Sequence, residues 1–147
     1  MYKKMVVPVD GSETSWRALR QAVELGVKFA GSEIIVLTVI QPYNNAALLA
    51  VPLDHNVISQ SNADMERIGN EVLKQAREIV GPNYPGKVSF EMEVGHPSER
   101  ILAVTKESGA DAIIIGSRGL SGIAEFFLGS VSSKISQYAN VPVLIVK

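Results

Sequence analysis

Short apolar runs alternate with longer segments of helical periodicity along the whole sequence, and this alternation limits the fold more than any other feature. A short apolar run bounded by turn residues is typical of a buried strand, and apolar residues repeated every three or four positions are typical of a helix. The predicted strands cover 4–9, 33–40, 87–94, 111–115 and 141–146, and the predicted helices cover 12–30, 57–80, 97–108 and 131–138. This order predicts an α/β fold with an open five-stranded parallel sheet and helices on both of its faces.

Length and composition exclude several classes of protein. At 147 residues the chain is expected to form a single domain over 1–147. It contains no cysteine, which excludes disulfides and thiolate chemistry, and its net charge of −1 gives no electrostatic basis for a nucleic-acid partner. No apolar run approaches the roughly 18 residues of a membrane span, and the first residues lack the pattern of a signal peptide. We therefore expect a cytoplasmic protein without a membrane span.

Three glycines at fixed spacing follow the fourth predicted strand: Gly116, Gly119 and Gly129, the last followed by Ser130. Glycine lets the backbone approach a ligand closely and adopt left-handed φ values. The first turn of the following helix offers free N–H groups and the positive end of the helix dipole. This arrangement predicts a phosphate-binding loop, and the alternative is a set of turn glycines before an ordinary serine N-cap. The spacing is neither a Walker loop nor G-x-G-x-x-G.

The predicted phosphate donors lie at the start of the last helix. They are the backbone N–H groups of Gly129, Ser130 and Val131, with the hydroxyl of Ser132 as a further donor. At the other end of the chain, Asp10 precedes the first helix and is interpreted as its N-cap, with Glu13 as a capping-box partner. His96 is predicted to occupy the N-cap of the third helix, before Pro97. The two histidines of the chain have no metal-site spacing.

The glycine spacing, together with the opening Pro8-Val9-Asp10-Gly11-Ser12, resembles the ATP-binding branch of the universal stress protein family. The second strand, Gly95-His96-Pro97 and the apolar run 141–146 also fit, so the resemblance covers nearly the whole chain. It implies a Rossmann-like sheet with strand order 3-2-1-4-5. In such a sheet ligands bind where the winding direction reverses, which here lies between the first and fourth strands. The opening segment and the glycine loop would then face one crevice.

The resemblance also implies roles for individual residues. Asp10 would hold a divalent cation, Mg²⁺ or Mn²⁺, beside the phosphates of ATP. The backbone of Val39 would pair with the adenine edge, although a plain core valine fits the sequence as well. Arg118 would contact the polyphosphate, with a solvated surface arginine as the alternative. The full predicted nucleotide-binding set is Pro8, Val9, Asp10, Val39, Gly116, Ser117, Arg118, Gly119, Gly129, Ser130, Val131 and Ser132.

Two further segments carry predictions about assembly and access. The strand 141–146 would form a sheet edge, and the resemblance implies a homodimer through this strand; a covered edge within the monomer is the alternative. The apolar segment 45–53 lies in a predicted loop, and packing over the sheet is favoured over a lid on the adenine pocket.

These observations favour an ATP-binding module of the stress response that has at most slow ATP hydrolysis. No base for water and no second carboxylate beside Asp10 are found in the motif, so no residue is predicted to be catalytic. One alternative is a slow ATPase or a nucleotidyl or phosphoryl transferase, since a held Mg²⁺–triphosphate needs little more. The other is a nucleotide-free protein-interaction domain, against which the intact glycine spacing argues.

Overall fold

The computed structural model describes residues 1–42, 55–119 and 128–147, and for residues 55–59 it describes the backbone alone. Within these residues strands and helices alternate along the chain. They are β1 (Lys4–Pro8), α1 (Glu13–Lys28), β2 (Glu33–Ile40), α2 (His55–Val80), β3 (Val88–Val94), α3 (Pro97–Ser108), β4 (Ala112–Gly116), α4 (Ser130–Tyr138) and β5 (Val143–Val146). The apolar segment 45–53, predicted to pack over the sheet, lies outside the described residues.

The strands form one parallel sheet in the order β3-β2-β1-β4-β5. The predicted fold class and strand order are therefore confirmed. The ends of the elements differ by one or two residues from the prediction. For example, α1 ends at Lys28 because Ala30 and Gly31 adopt φ values of 60° and 82°, which a right-handed helix cannot continue.

Two apolar layers cover the two faces of the sheet. On one face α1 and α2 pack over β1 and β2, with Leu19 and Ala76 buried against Met5 and Val36. On the other face α3 and α4 bury a second cluster. This second cluster includes Val6, Ile35, Ile101, Ile113 and Ile135. Each strand in the middle of the sheet is thus buried on both faces, which explains its continuous apolar run.

The start of α1 differs from the prediction. Ser12, and not Asp10, is the N-cap, and its Oγ accepts a hydrogen bond of 3.3 Å from the N–H of Ser15. Gly11 adopts a φ of 88° and turns the chain, so Asp10 lies before the cap. Its Oδ1 accepts the N–H of Ser12 at 2.9 Å. Glu13 is the first helical residue and cannot complete a capping box for Asp10. His96 does occupy the N-cap of α3, as predicted.

Charged side chains at the amino ends of the strands pair with one another. Glu33 lies 3.2 Å from the ammonium of Lys4 and 3.4 Å from that of Lys87, and so joins the starts of β1, β2 and β3. Burial raises the pKa of Glu33, but the hydrogen bonds and charges of the two lysines outweigh it and hold the pKa below its ordinary value. The carboxyl ends of the strands lie at the opposite end of the sheet, away from these ion pairs.

Candidate functional site

A cleft of about 590 Å³ opens at the carboxyl ends of β1, β2 and β4. Every predicted binding residue except Ser117 lines it. The sequence did not predict the other lining residues, which are Ser15, Leu37, Pro97, Ile101, Ile115, Leu128 and Ser133. The β2 and α3 side of the cleft is largely apolar, while the side nearer β4 and α4 carries Asp10, Arg118 and most of the backbone groups of the glycine motif.

Ser117 holds the glycine motif together from behind the cleft. Its N–H donates to the carbonyl of Val146 at 2.7 Å, which anchors the loop to the end of β5. Its carbonyl accepts the N–H of Gly129 at 2.6 Å and the hydroxyl of Ser132 at 2.9 Å. Ser117 is 3 % exposed. It therefore fixes the distance between the end of β4 and the start of α4 and does not line the cleft.

This bonding changes the predicted set of phosphate donors. The N–H of Gly129 already donates to Ser117, so the prediction that it is a free donor is wrong. The hydroxyl of Ser132 is also engaged, since its one proton is shared between the carbonyls of Ser117 at 2.9 Å and Gly129 at 3.1 Å. The backbone N–H groups of Ser130, Val131 and Ser132 are in the first turn of α4, where a helix offers them no acceptor. These three groups are the donors that the first turn of α4 offers to the cleft.

The glycines allow close packing rather than unusual backbone angles. None of the three adopts a left-handed φ, contrary to the expectation from glycine's freedom. A Cβ on Gly116 would lie 2.7 Å from the backbone of Thr14, and a Cβ on Gly119 would lie 2.8 Å from Oδ2 of Asp10. A Cβ on Gly129 would lie 3.3 Å from the Cα of Arg118. The spacing of the motif therefore reflects three tight contacts within the site.

Asp10 presents one carboxylate oxygen to the cleft. Oδ1 accepts the N–H of Ser12, and Oδ2 faces Gly119. None of the ion pairs among the described residues includes Asp10, and these residues contain no group of three acidic, histidine or cysteine side chains that could hold a metal alone. A single carboxylate beside phosphate and water oxygens suits Mg²⁺, which usually keeps several waters in its shell. Asp10 thus fits a cation that arrives with a phosphate ligand.

Arg118 supplies positive charge at the same end of the cleft. Its side chain lines the cleft and is exposed, and no ion pair formed by the described residues involves it. Its guanidinium can donate two parallel hydrogen bonds to phosphate oxygens. The lining of the cleft therefore includes one anionic residue, Asp10, and one cationic residue, Arg118, among the described residues.

The backbone of Val39 has β3 on one side, where it is in register with Glu93, and no described strand on the other side. The carbonyl of Leu37 accepts the N–H of Val9 at 2.8 Å, on the β1 side of β2. Because backbone groups alternate along a strand, the N–H and C=O of Val39 point to the same side. There β1 has already ended at Pro8, and no described backbone group pairs with Val39. One donor and one acceptor are thus available to a planar ligand.

Leu37, Pro97 and Ile101 form apolar walls near Val39 that sequence reasoning missed. Pro97 and Ile101 lie four residues apart on α3, so the helical period places them on one face. The sequence contains this signal, but nothing local shows which face of α3 meets the cleft. That depends on how α3 packs across the ends of β1 and β2.

Known proteins resemble this chain over its whole length. A family model described as the universal stress protein family matches residues 1–147. Universal stress protein YxiE from Bacillus subtilis (strain 168) is 34% identical over 155 residues, covering 100% of each chain. Universal stress protein UspA from Lactobacillus plantarum has a TM-score of 0.86 at 20% identity, covering 99% of this chain and 98% of its own.

A third likeness is to a structure that contains a ligand. The universal stress protein from Archaeoglobus fulgidus in complex with dAMP has a TM-score of 0.66 at 25% identity. The match covers 99% of this chain and 98% of that one.

Proposed function

This chain belongs to the universal stress protein family, and we propose that it binds ATP in the cleft and serves the stress response as a nucleotide-dependent module. One observation carries the proposal: the free N–H groups of the first turn of α4 face the same cleft as Asp10 and Arg118. Binding of dAMP by the Archaeoglobus relative supports an adenine nucleotide as the ligand. ATP as the particular nucleotide, and its role in this protein, are our inference.

The two ends of the cleft suit the two ends of the nucleotide. The phosphates would lie at the start of α4, where N–H groups and the helix dipole favour an anion. Arg118 would add charge-assisted hydrogen bonds to the outer phosphates. The base would lie between Leu37, Pro97 and Ile101, with its edge hydrogen-bonded to the backbone of Val39. Pro8 and Val9 would line the nucleoside between these ends.

The carboxylate of Asp10 makes a cation part of the proposal. A carboxylate beside a polyphosphate repels it unless a positive charge lies between them. Mg²⁺ or Mn²⁺ could be held by Oδ2 of Asp10 and by phosphate oxygens, and it would supply the charge that offsets the repulsion. The site would then take the nucleotide together with its metal.

The lining of the cleft favours binding over turnover. Among the described lining residues Asp10 is the one carboxylate, and none is histidine or lysine. Hydrolysis of a nucleotide needs a positioned water or base and charge stabilisation on the transferred phosphoryl group. Arg118 and a bound cation would supply the charge, whereas the described lining contains no histidine or lysine and no second carboxylate to act as a base. We therefore assign ATP a regulatory role, with slow hydrolysis as a side reaction.

A homodimer through β5 completes the proposal. The two edges of the sheet differ in character: β3 carries Glu91 and Glu93, whereas β5 is apolar throughout. Charged residues on an edge strand discourage pairing, and an apolar edge invites it. No helix among the described residues has the length and apolar character needed to cross a membrane. We propose that the dimer acts in the cytoplasm.

Replacing Gly119 with valine should weaken binding of ATP with Mg²⁺ by roughly tenfold or more, because the branched side chain would fill the space beside the carboxylate that is proposed to hold the cation. The new Cβ would lie 2.8 Å from Oδ2 of Asp10 and displace the carboxylate. Isothermal titration calorimetry measures the affinity, and thermal unfolding checks the fold. Gly81→Val is the control. Gly81 has a φ of 73°, so valine there is strained, but the residue follows α2 and does not line the cleft. The control protein should lose stability and keep its affinity for ATP. Equal affinities for Gly119→Val and the parent would refute the proposed site.

Asp10→Asn should reduce the dependence of ATP binding on Mg²⁺. Asparagine keeps an oxygen to accept the N–H of Ser12, but it removes the charge that repels phosphate and attracts the cation. Without Mg²⁺ the variant should bind ATP at least as tightly as the parent, and with Mg²⁺ it should bind more weakly. The matched control is Asp111→Asn. Asp111 lies at the amino ends of the strands, where its carboxylate accepts the N–H groups of Lys3 and Lys4. A Mg²⁺ dependence unchanged in Asp10→Asn would argue against cation binding by Asp10.

Ile145→Pro should convert the dimer into a monomer. The carbonyls of Pro142 and Val146 accept hydrogen bonds from the β4 side, so the N–H of Ile145 faces the free edge, where proline removes a donor. Sedimentation velocity should give twice the chain mass of 15.8 kDa for the parent and a single chain mass for the variant.

Val88→Pro is the control for this experiment, because it removes an outward N–H from the opposite edge, on β3, and should leave the dimer intact. A monomeric parent, or a dimer lost in Val88→Pro and kept in Ile145→Pro, would contradict the assignment to β5.

A further inference from the structure

Thr14, in the first turn of α1, holds the backbone of Arg118. Its Oγ1 donates to the carbonyl of Arg118 at 2.6 Å and lies 3.4 Å from the N–H of the same residue, which donates to it. A hydroxyl can donate once and accept at the same time, so both bonds are compatible. One side chain thus engages both backbone polar groups of Arg118, which is 104 residues away in the sequence.

Ser12 supports the same contact from the N-cap position. Its Oγ accepts the N–H of Ser15 at 3.3 Å, as a cap does, and donates its proton to the carbonyl of Arg118 at 3.3 Å. The carbonyl of Arg118 therefore accepts two hydroxyls from the start of α1. Neither interaction belongs to a strand ladder or to a helix, so these two side chains fix a peptide that regular structure leaves free.

The close approach of α1 to the end of β4 makes this contact possible. A Cβ on Gly116 would lie 2.7 Å from the backbone carbon and from Oγ1 of Thr14, and 2.8 Å from the N of Ser15. Only glycine at this position lets the first turn of α1 rest on the strand end. The glycine that begins the motif therefore serves the contact with Thr14.

We propose that Thr14, assisted by Ser12, is a positioning residue for the nucleotide site. Thr14 does not line the cleft, so it acts on the ligand through Arg118 and Gly119. By fixing the Arg118 peptide it directs the guanidinium toward the phosphates and keeps Gly119 against Asp10. The proposal rests on the proposed function for its effect on affinity, while its effect on the order of the loop stands apart from any ligand.

Loss of the Thr14 hydroxyl should affect one end of the ligand and not the other. The phosphates depend on the position of Arg118, whereas the nucleoside is held by Val39 and the apolar walls at the far end of the cleft. Adenosine has the nucleoside and lacks the phosphates. Comparison of ATP with adenosine therefore distinguishes a positioning role from general destabilisation, which would weaken both.

The test compares Thr14→Val, which keeps the shape and loses the hydroxyl, with Thr14→Ser, which restores it. Thr105→Val is the matched control, because the hydroxyl of Thr105 donates to a carbonyl at 2.7 Å within its own helix. Two quantities are measured: the ¹H–¹⁵N heteronuclear NOE of the Arg118 amide without nucleotide, and the affinities for ATP with Mg²⁺ and for adenosine. Thr14→Val should lower the NOE and weaken ATP binding by roughly three- to tenfold, as expected for one or two lost hydrogen bonds. Its adenosine affinity, and all values for Thr14→Ser and Thr105→Val, should stay near those of the parent.

Three results would overturn the inference. These are an unchanged NOE with unchanged ATP affinity in Thr14→Val, an equal loss of ATP and adenosine affinity, or a failure of Thr14→Ser to restore the parent values. Failure of the parent to bind either ligand would refute the proposed function instead. In that case the NOE alone decides: a lower value in Thr14→Val supports the ordering of the Arg118 peptide by Thr14 and overturns its role toward a nucleotide, and an unchanged value refutes both.

Discussion

The location of the site depends on how the chain leaves β1 and β4, because the two connections run to opposite faces of the sheet. These neighbouring strands run parallel, yet the chain leaves β1 for α1 on one face of the sheet and leaves β4 toward α4 on the other. A crevice must open between two exits that diverge in this way. The starts of both helices lie beside it, and β1 ends before β2 does, which leaves the backbone of Val39 unpaired. The topology thus sets where a ligand can bind before any side chain is considered.

Backbone groups supply many of the contacts proposed for this cleft. The proposed contacts to phosphate come from the N–H groups of the first turn of α4, and the proposed contact to the base comes from Val39. Side chains then add charge through Asp10 and Arg118 and shape through the apolar walls. A site of this kind is sensitive to packing, because its donors can bind a ligand only if the chain segments that carry them keep their relative positions. The contacts of Ser117 with Val146, Gly129 and Ser132 hold these segments in place.

Much of this arrangement could be predicted from the sequence. Apolar runs and helical periods were enough to predict the strands and helices. The family resemblance supplied the strand order and the two segments that meet at the crevice. The residues were harder to assign where hydrogen bonds cross between elements. The N–H of Gly129 is taken by Ser117, and Asp10 is displaced from the N-cap by the turn at Gly11. The contact of Thr14 with Arg118 depends on the distance between α1 and β4, which no local pattern encodes.

The most direct test of the account is a ¹H–¹⁵N NMR titration of the nucleotide-free protein with ATP and Mg²⁺. We expect saturable shifts centred on the amides of Ser130, Val131, Ser132 and Val39, because these N–H groups would gain an acceptor. The amide of Gly129 keeps its bond to Ser117 and should shift less. Shifts centred on another surface, or no shifts at millimolar ATP, where even a weak site with a free energy of about −4 kcal/mol would be half filled, would contradict it.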